Sequence, residues 1–320
     1  MTAASNSDVL QRYPKAVVIG AGVIGASWTA LFLAHGLEVV VNDPRPDVEG
    51  IVHDYIKGSL RTLEALGLPT DNLTRKLRFE ANLETAVEGA PLVQENGPER
   101  IEFKQELWAR ISRVVGADAL LLSSSSAKPA TEQARDMAHP ERLLVGHPFN
   151  PPHLIPLVEV VPGEKTDPAA VDDAVAFYLA LGKVPRVLRK EMNGFVANRL
   201  QRAIFRECCY LVIEGVVTVD ELDDVVTSSV GLRWAADGPF RSFHLGGGAG
   251  GFEAFFKQFG AGLDNAWKNM APVSLDEAAQ RKIIAQADAS FAATPMEQLE
   301  AERDDKQLAI IRALKALKTK

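Results

Sequence analysis

A doubly wound α/β domain followed by an all-helical domain is the fold class that this sequence predicts. Three observations predict it. Short, near-continuous apolar runs alternate with helical patterns from Lys15 to about Arg189. A Gly-x-Gly-x-x-Gly turn joins the first run to the first helical pattern. After about Glu191 the patterning is helical throughout. The expected division is therefore residues 1–190 and 191–320, and a chain of 320 residues has the length for two domains.

The apolar runs are Ala16–Ile19, Leu37–Asn42, Pro91–Gln94, Ala119–Leu122 and Leu143–Gly146. Strands without polar alternation belong to a parallel sheet covered on both faces. Between Glu99 and Val115, the side chains of Phe103, Leu107, Ile111, Val114 and Val115 share one helical face. Residues 54–88 read as a helical excursion, broken at Gly67–Pro69, before the sheet resumes. In the second half, Phe252, Phe255, Phe256, Phe259 and Leu263 form one apolar stripe. Leu308, Ile311, Leu314 and Leu317 form another. Thr218, followed by Asp220 and Glu221, reads as a helix start. Gly246–Gly251 reads as a loop, and the first dozen residues as a loose tail.

Composition narrows the function classes. The chain is 47% hydrophobic and 24% charged, which excludes a disordered chain or a disulfide scaffold. A net charge of −7 argues against a nucleic-acid partner and against docking on an anionic membrane. Ala16–Ala34 carries no charge, but its three glycines and its split into strand and helix argue against a membrane span or leader. The two cysteines, Cys208 and Cys209, are adjacent, and neighbouring residues rarely meet disulfide geometry. A reducing, cytoplasmic compartment is expected, and no metal site.

Gly20-Ala-Gly-Val-Ile-Gly25 follows a strand and opens a helix, the context that makes this a Rossmann-type dinucleotide fingerprint. Gly20 permits the tight turn, Gly22 lets a pyrophosphate approach the backbone, and Gly25 lets helix and strand pack closely. Together with Val23 and Ile24, these residues form the expected cofactor-binding turn, with the helix N-terminus supplying partial positive charge. Asp43 ends the second strand, where a carboxylate accepts hydrogen bonds from an adenosine ribose and repels a 2′-phosphate. NAD is therefore the expected cofactor, although Arg45 stands two residues on.

A second signal is His147, at a strand end, and Glu159 twelve residues later on an otherwise apolar strand. A carboxylate in such a place is costly unless paired. Bonded to one imidazole nitrogen, it fixes the tautomer and leaves the other nitrogen as a general base. His153, mid-loop without a nearby carboxylate in the sequence, reads as a rim residue.

These residues carry a resemblance to the 3-hydroxyacyl-CoA dehydrogenase superfamily. The matching segments are Val18–Gly25, Val93–Glu99, Ser123–Ser126, His147–Pro152, Leu157–Val160 and Gly194–Leu200. Within the superfamily the chain most resembles the branch containing λ-crystallin, which is L-gulonate 3-dehydrogenase, and L-carnitine dehydrogenase. The resemblance implies that His147 is the catalytic base, oriented by Glu159. It implies that Ser126 and Asn198 hold the reacting oxygen, and that Glu99 and Lys104 contact the cofactor near the nicotinamide ribose. It also implies a homodimer through the helical half, with the site in the interdomain cleft.

The expected activity is NAD-dependent oxidation of the 3-hydroxyl of a small L-3-hydroxy acid, L-gulonate first. L-Carnitine and an L-3-hydroxyacyl-CoA are the alternatives, and a nucleotide-binding, crystallin-like structural protein is the non-enzymatic one. Residues 54–88 offer Lys57, Arg61, Arg75 and Lys76, diluted by Asp54, Glu64 and Asp71, unlike a lysine-rich face for a CoA handle. Gly231–Pro239 resembles a segment of the gulonate and carnitine enzymes, with Arg233 as a partner for a free carboxylate and Trp234 as a pocket wall. Phe149, with Trp234 and Phe240, is a candidate for an aromatic cage around a quaternary ammonium. A dehydrogenase with a lysine base is disfavoured, because Glu191–Asn198 contains no lysine.

Overall fold

The computed structural model describes residues 6–318. The chain divides into two compact units, one ending at Asn198 and the other beginning at Arg199. The segment Gly194–Asn198 thus belongs with the first unit.

The first unit is built on eight strands: β1 (Lys15–Ile19), β2 (Glu38–Asn42), β3 (Leu77–Phe79), β4 (Leu92–Glu95), β5 (Leu120–Ser123), β6 (Leu143–Pro148), β7 (Leu157–Pro162) and β8 (Val184–Val187). They form one sheet in the order β3-β2-β1-β4-β5-β6-β7-β8. Neighbours are parallel except β6 and β7, which are antiparallel. Strand order reverses across β1, which has β2 on one side and β4 on the other. Such a switch point opens a crevice at the carboxyl ends of the strands, where ligands of open α/β sheets bind.

Helices α1 (Asn6–Arg12), α2 (Val23–Ala34), α3 (Val48–Ala65), α4 (Leu83–Val87), α5 (Ile101–Ile111), α6 (Ala130–Gln133) and α7 (Pro168–Ala180) accompany the sheet. Successive strand residues point to opposite faces, so Val18 joins a core with Trp28, Phe32, Phe177 and Tyr178. Its neighbour Val17 joins the other core, with Trp108, Ile111 and Leu121. Each fully buried Val, Leu or Phe side chain contributes about 1.5–3 kcal/mol. Burial on both faces explains the unpolarised strands. The uncharged run Ala16–Ala34 is a core strand plus α2, whose residues from Gly25 to Ala34 are all buried. Among the described residues no helix is long and apolar enough to cross a membrane.

Three details differ from the sequence reading. Residues 54–88 are not purely helical, because they contain β3, which pairs with β2 at the sheet edge. Residues 6–12 form α1, whose Val9 and Leu10 pack on the core and whose Arg12 forks onto Asp173 of α7. The rest of the expected tail lies outside the described residues. Gly246–Gly251 is not a plain loop: Gly246 ends one helix, Gly248–Gly250 is a 3₁₀ turn and Gly251 begins the next helix.

Helix α8 (Ala197–Ile213) begins in the first unit and runs into the second. The second unit continues with α9 (Val219–Ser228), α10 (Val230–Ala236), α11 (Gly238–Gly246), α12 (Gly251–Lys268), α13 (Glu277–Phe291) and α14 (Met296–Lys318). Thr218 opens α9 with a capping box: its hydroxyl accepts from the Glu221 N–H while Glu221 accepts from the Thr218 N–H. The phenylalanine stripe of α12 is only partly covered, with Phe255 buried and Phe256 and Phe259 exposed. Cys208 and Cys209 are both free.

Candidate active site

The sequence-predicted residues of the first unit gather at the carboxyl ends of β1, β2, β4, β5 and β6. Gly20 leaves β1 with a φ of +79°, and a Cβ there would press 2.9 Å from the Asn96 carbonyl oxygen. Gly25 is tighter still, since a Cβ would lie 1.9 Å from the Gly20 carbonyl oxygen. A Cβ on Gly22 would meet nothing within 4 Å. The glycine in the middle of the fingerprint therefore faces open space, as a turn that admits a pyrophosphate requires. Gly22 is also the N-cap of α2, twelve residues long, followed by Val23 and Ile24 in its first turn. Asn96 braces this turn through its Nδ2, which donates to the carbonyls of Ile19 and Gln94.

Asp43 follows β2 and is almost buried, with its Oδ2 accepting from the Ala21 N–H at 2.8 Å. Burial alone would raise its carboxyl, but Arg45 and the N–H groups of Ala21 and Arg45 outweigh that and hold it below the ordinary range.

The loops after β4 and β5 form a charged cluster. Glu95 is fully buried and accepts from Lys104 Nζ at 2.7 Å, from the Gly97 N–H at 2.7 Å and from Ser123 Oγ at 2.7 Å. Lys104 is also fully buried, with its ammonium 3.4 Å from Glu99 Oε2. Glu99 Oε1 accepts from Ser125 Oγ at 2.6 Å and from the N–H groups of Ser126 and Ala127 at 2.9 Å. Burial opposes the Glu99 charge, but Ser125, Lys104 and the Ala127 N–H prevail and lower its pKa. Lys104 thus reaches the site through Glu99, not as an open surface cation. Glu95, which anchors it, carried no signal in the sequence beyond its place at a strand end.

His147 and Glu159 are brought together by register. Strands β6 and β7 pair antiparallel with His147 directly opposite Glu159. Their side chains meet at Nδ1···Oε2, 2.8 Å, with both residues buried. An ionised carboxylate only accepts, so the proton of a neutral imidazole sits on Nδ1 and the lone pair on Nε2. Glu159 Oε1 accepts from the N–H groups of Val196 and Ala197, each at 3.0 Å. Burial would lift the Glu159 carboxyl, but His147 and these two N–H groups hold it below the ordinary range. Phe149 and Phe195 lie against the imidazole, ring centroids 4.8 and 5.5 Å away.

Asn198 Nδ2 donates to the Ser126 carbonyl at 3.4 Å, which joins those two residues. Arg233 and Trp234 lie on α10 in the second unit, Arg233 exposed and Trp234 half-buried. His153 is not a rim residue: it is buried, and its Nδ1 and backbone N–H both bond Ser27 Oγ at 2.9 Å. Val196 and Ala197 were missed, because a backbone N–H leaves no mark on the residue type.

The comparisons with known proteins bear on this arrangement. The profile of the 3-hydroxyacyl-CoA dehydrogenase NAD binding domain matches residues 15–192, and that of the 3-hydroxyacyl-CoA dehydrogenase C-terminal domain matches residues 194–283. The chain belongs to the 3-hydroxyacyl-CoA dehydrogenase family. Within this NAD-dependent family, an L-carnitine dehydrogenase of Streptomyces griseus is 41% identical over 92% of this chain and 88% of its own length. Another, from Pseudomonas aeruginosa, is 40% identical over 94% of each chain. Among solved structures, a 5-formyl-3-hydroxy-2-methylpyridine 4-carboxylic acid 5-dehydrogenase, an NAD⁺-dependent dismutase, superposes with a TM-score of 0.82 at 31% identity, covering 94% of this chain and 98% of that one. A 3-hydroxybutyryl-CoA dehydrogenase of Escherichia coli gives 0.61 at 26% identity, covering 77% and 53%. As a family member this chain is an NAD-dependent oxidoreductase acting on a hydroxyl group, which removes the reading as a crystallin-like structural protein. The relatives also reverse the order of the sequence reading, which put L-gulonate before L-carnitine.

Proposed function

We propose that this chain is an NAD-dependent L-carnitine 3-dehydrogenase, with His147 as its general base and Glu159 as the residue that orients it. The observation that carries the reading is the kinship, across more than nine-tenths of the chain, with proteins named L-carnitine dehydrogenase.

The local geometry supports it. His147 Nε2 takes the proton of the substrate 3-hydroxyl while Glu159 stabilises the imidazolium that forms. NAD, when bound, supplies the hydride acceptor. The open face at Gly22, the N-terminus of α2 and the ionised Asp43 fit the pyrophosphate and adenosine ribose of that cofactor. Glu99, backed by Lys104, would hold the nicotinamide ribose, and Ser126 with Asn198 would hold the oxygen as it becomes a carbonyl. Phe149 offers an apolar, electron-rich face beside the base, suited to a quaternary ammonium. Arg233 is assigned to the substrate carboxylate and Trp234 to the trimethylammonium. The working assembly is a homodimer through the helical unit, in the cytoplasm.

The test is NADH formation by the purified protein with L-carnitine, L-gulonate and L-3-hydroxybutyryl-CoA side by side. L-Carnitine is expected to give the highest kcat/KM, and His147→Ala to abolish turnover while NADH still binds. A higher value for the thioester or for L-gulonate overturns the substrate, and turnover by His147→Ala removes His147 as the base.

A further inference from the structure

The carboxylate of Asp43 is already saturated by the protein itself. Oδ1 accepts from the Arg45 N–H at 3.0 Å and from Arg45 Nε at 2.9 Å. Oδ2 accepts from the Ala21 N–H at 2.8 Å and from an Arg45 terminal nitrogen at 2.9 Å. A carboxylate offers about four lone-pair sites, so these four donors leave none for a ribose diol. Something must yield when a nucleotide enters. Two of the donors are backbone groups of ordered turns. The guanidinium is the one free to go, since the Arg45 side chain is 42% exposed and that of Asp43 only 7%.

Arg45 cannot go far. Pro44 and Pro46 flank it, which fixes φ at both neighbours and keeps Arg45 out of the helical region, so the side-chain torsions are its freest motion. A guanidinium swung off Asp43 stays within a side chain's length of the ribose that replaced it. It keeps its charge there, and its planar fork matches a phosphate. The pair also cancels formally, so the repulsion that a lone Asp43 would exert on a 2′-phosphate is offset by its own neighbour.

We propose that Arg45 is a specificity-determining residue that covers Asp43 in the free protein, yields to the adenosine ribose and then pairs the 2′-phosphate of NADP, so that the chain accepts NADP as well as NAD. The inference rests on Asp43 being the ribose acceptor.

Calorimetric titration with ADP-ribose and 2′-phospho-ADP-ribose isolates the adenosine end of the cofactor. The unmodified protein binds both. Arg45→Ala raises the ratio of the two dissociation constants, phosphorylated over plain, by about tenfold, the loss expected of one charge-assisted hydrogen bond. A rise below about threefold, or no binding of the phosphorylated probe by the unmodified protein, overturns the proposal at that scale. Asp43→Ala separates the two levels. If it weakens ADP-ribose while Arg45→Ala leaves the ratio unchanged, Arg45 alone is misassigned. If Asp43→Ala weakens neither probe, the ribose acceptor is elsewhere and the inference falls with it.

Discussion

Glu159 is where the site is most exposed to a single-atom change. Its carboxylate accepts from His147 on one oxygen and from two backbone N–H groups on the other. Glu159→Gln keeps the shape and the volume but replaces one acceptor oxygen with a donor. If the amide oxygen stays on Val196 and Ala197, its NH₂ faces His147 Nδ1 and forces the proton onto Nε2. The base is then blocked by its own tautomer. We expect kcat to fall by about 10²–10⁴-fold, the usual worth of a positioned base, while NADH binding is unchanged. A near-normal kcat would make Glu159 a structural residue only. The same substitution has a pH signature. The folded Glu159 carboxyl lies below its ordinary value, so its contribution to stability is present above the unfolded value of about 4.3 and is lost as pH falls through the lower, folded value. The glutamine variant should therefore show a shallower loss of melting temperature on acidification, and an identical slope would contradict the assignment. In the sequence, the pair was legible as an imidazole and a carboxylate on adjoining strands. The clamp on its far side was not, because any residue at 196 or 197 except proline presents the same N–H.

The turn between β1 and α2 separates packing from ligand approach within one hexapeptide. Gly25→Ala would set a methyl against the Gly20 carbonyl, where 1.9 Å leaves no room. The helix would have to shift, at a cost of about 1–3 kcal/mol, so both melting temperature and NADH affinity are expected to fall. Gly22→Ala meets nothing in the protein, so its melting temperature should stay while NADH affinity drops. If both variants melt and bind alike, Gly22 does not face the pyrophosphate. This element was readable because strand, glycines, helix and second strand stand in a fixed local order. Elements without that support were lost. Strand β3 has three residues, too few for a period, and it borrows its order from β2. Strand β8 contains Pro185 and lies at the sheet edge, where a missing N–H is tolerated. Helix α1 shows only Val9 and Leu10 as apolar anchors in a polar stretch. For Lys104 the sequence offers only the cofactor contact that the resemblance implies, and the fold adds the buried Glu95 that holds it.

Burial is distributed unevenly over the whole molecule, and this bears on assembly. The first unit fills both faces of its sheet. The second buries Cys209, Val212, Phe255, Ala279 and Leu308, yet leaves Leu232, Phe240, Trp267 and Met296 each more than 60% exposed. Among the described residues these side chains leave apolar surface open on the second unit, and the homodimer proposed above would give it a partner. The sequence showed these helices as amphipathic stripes but not which stripes find partners inside one chain. It did not separate the substrates either, since Arg233 and Trp234 fit two hydroxy acids, and the proposed preference for L-carnitine rests on kinship. If the helical unit closes as a homodimer, light scattering should give twice the chain mass of 34.7 kDa. The melting temperature should also rise with protein concentration, because dissociation is then coupled to unfolding. A monomeric mass with a concentration-independent melt would mean that these side chains are covered within one chain, and the helical unit would lose its assigned role in assembly.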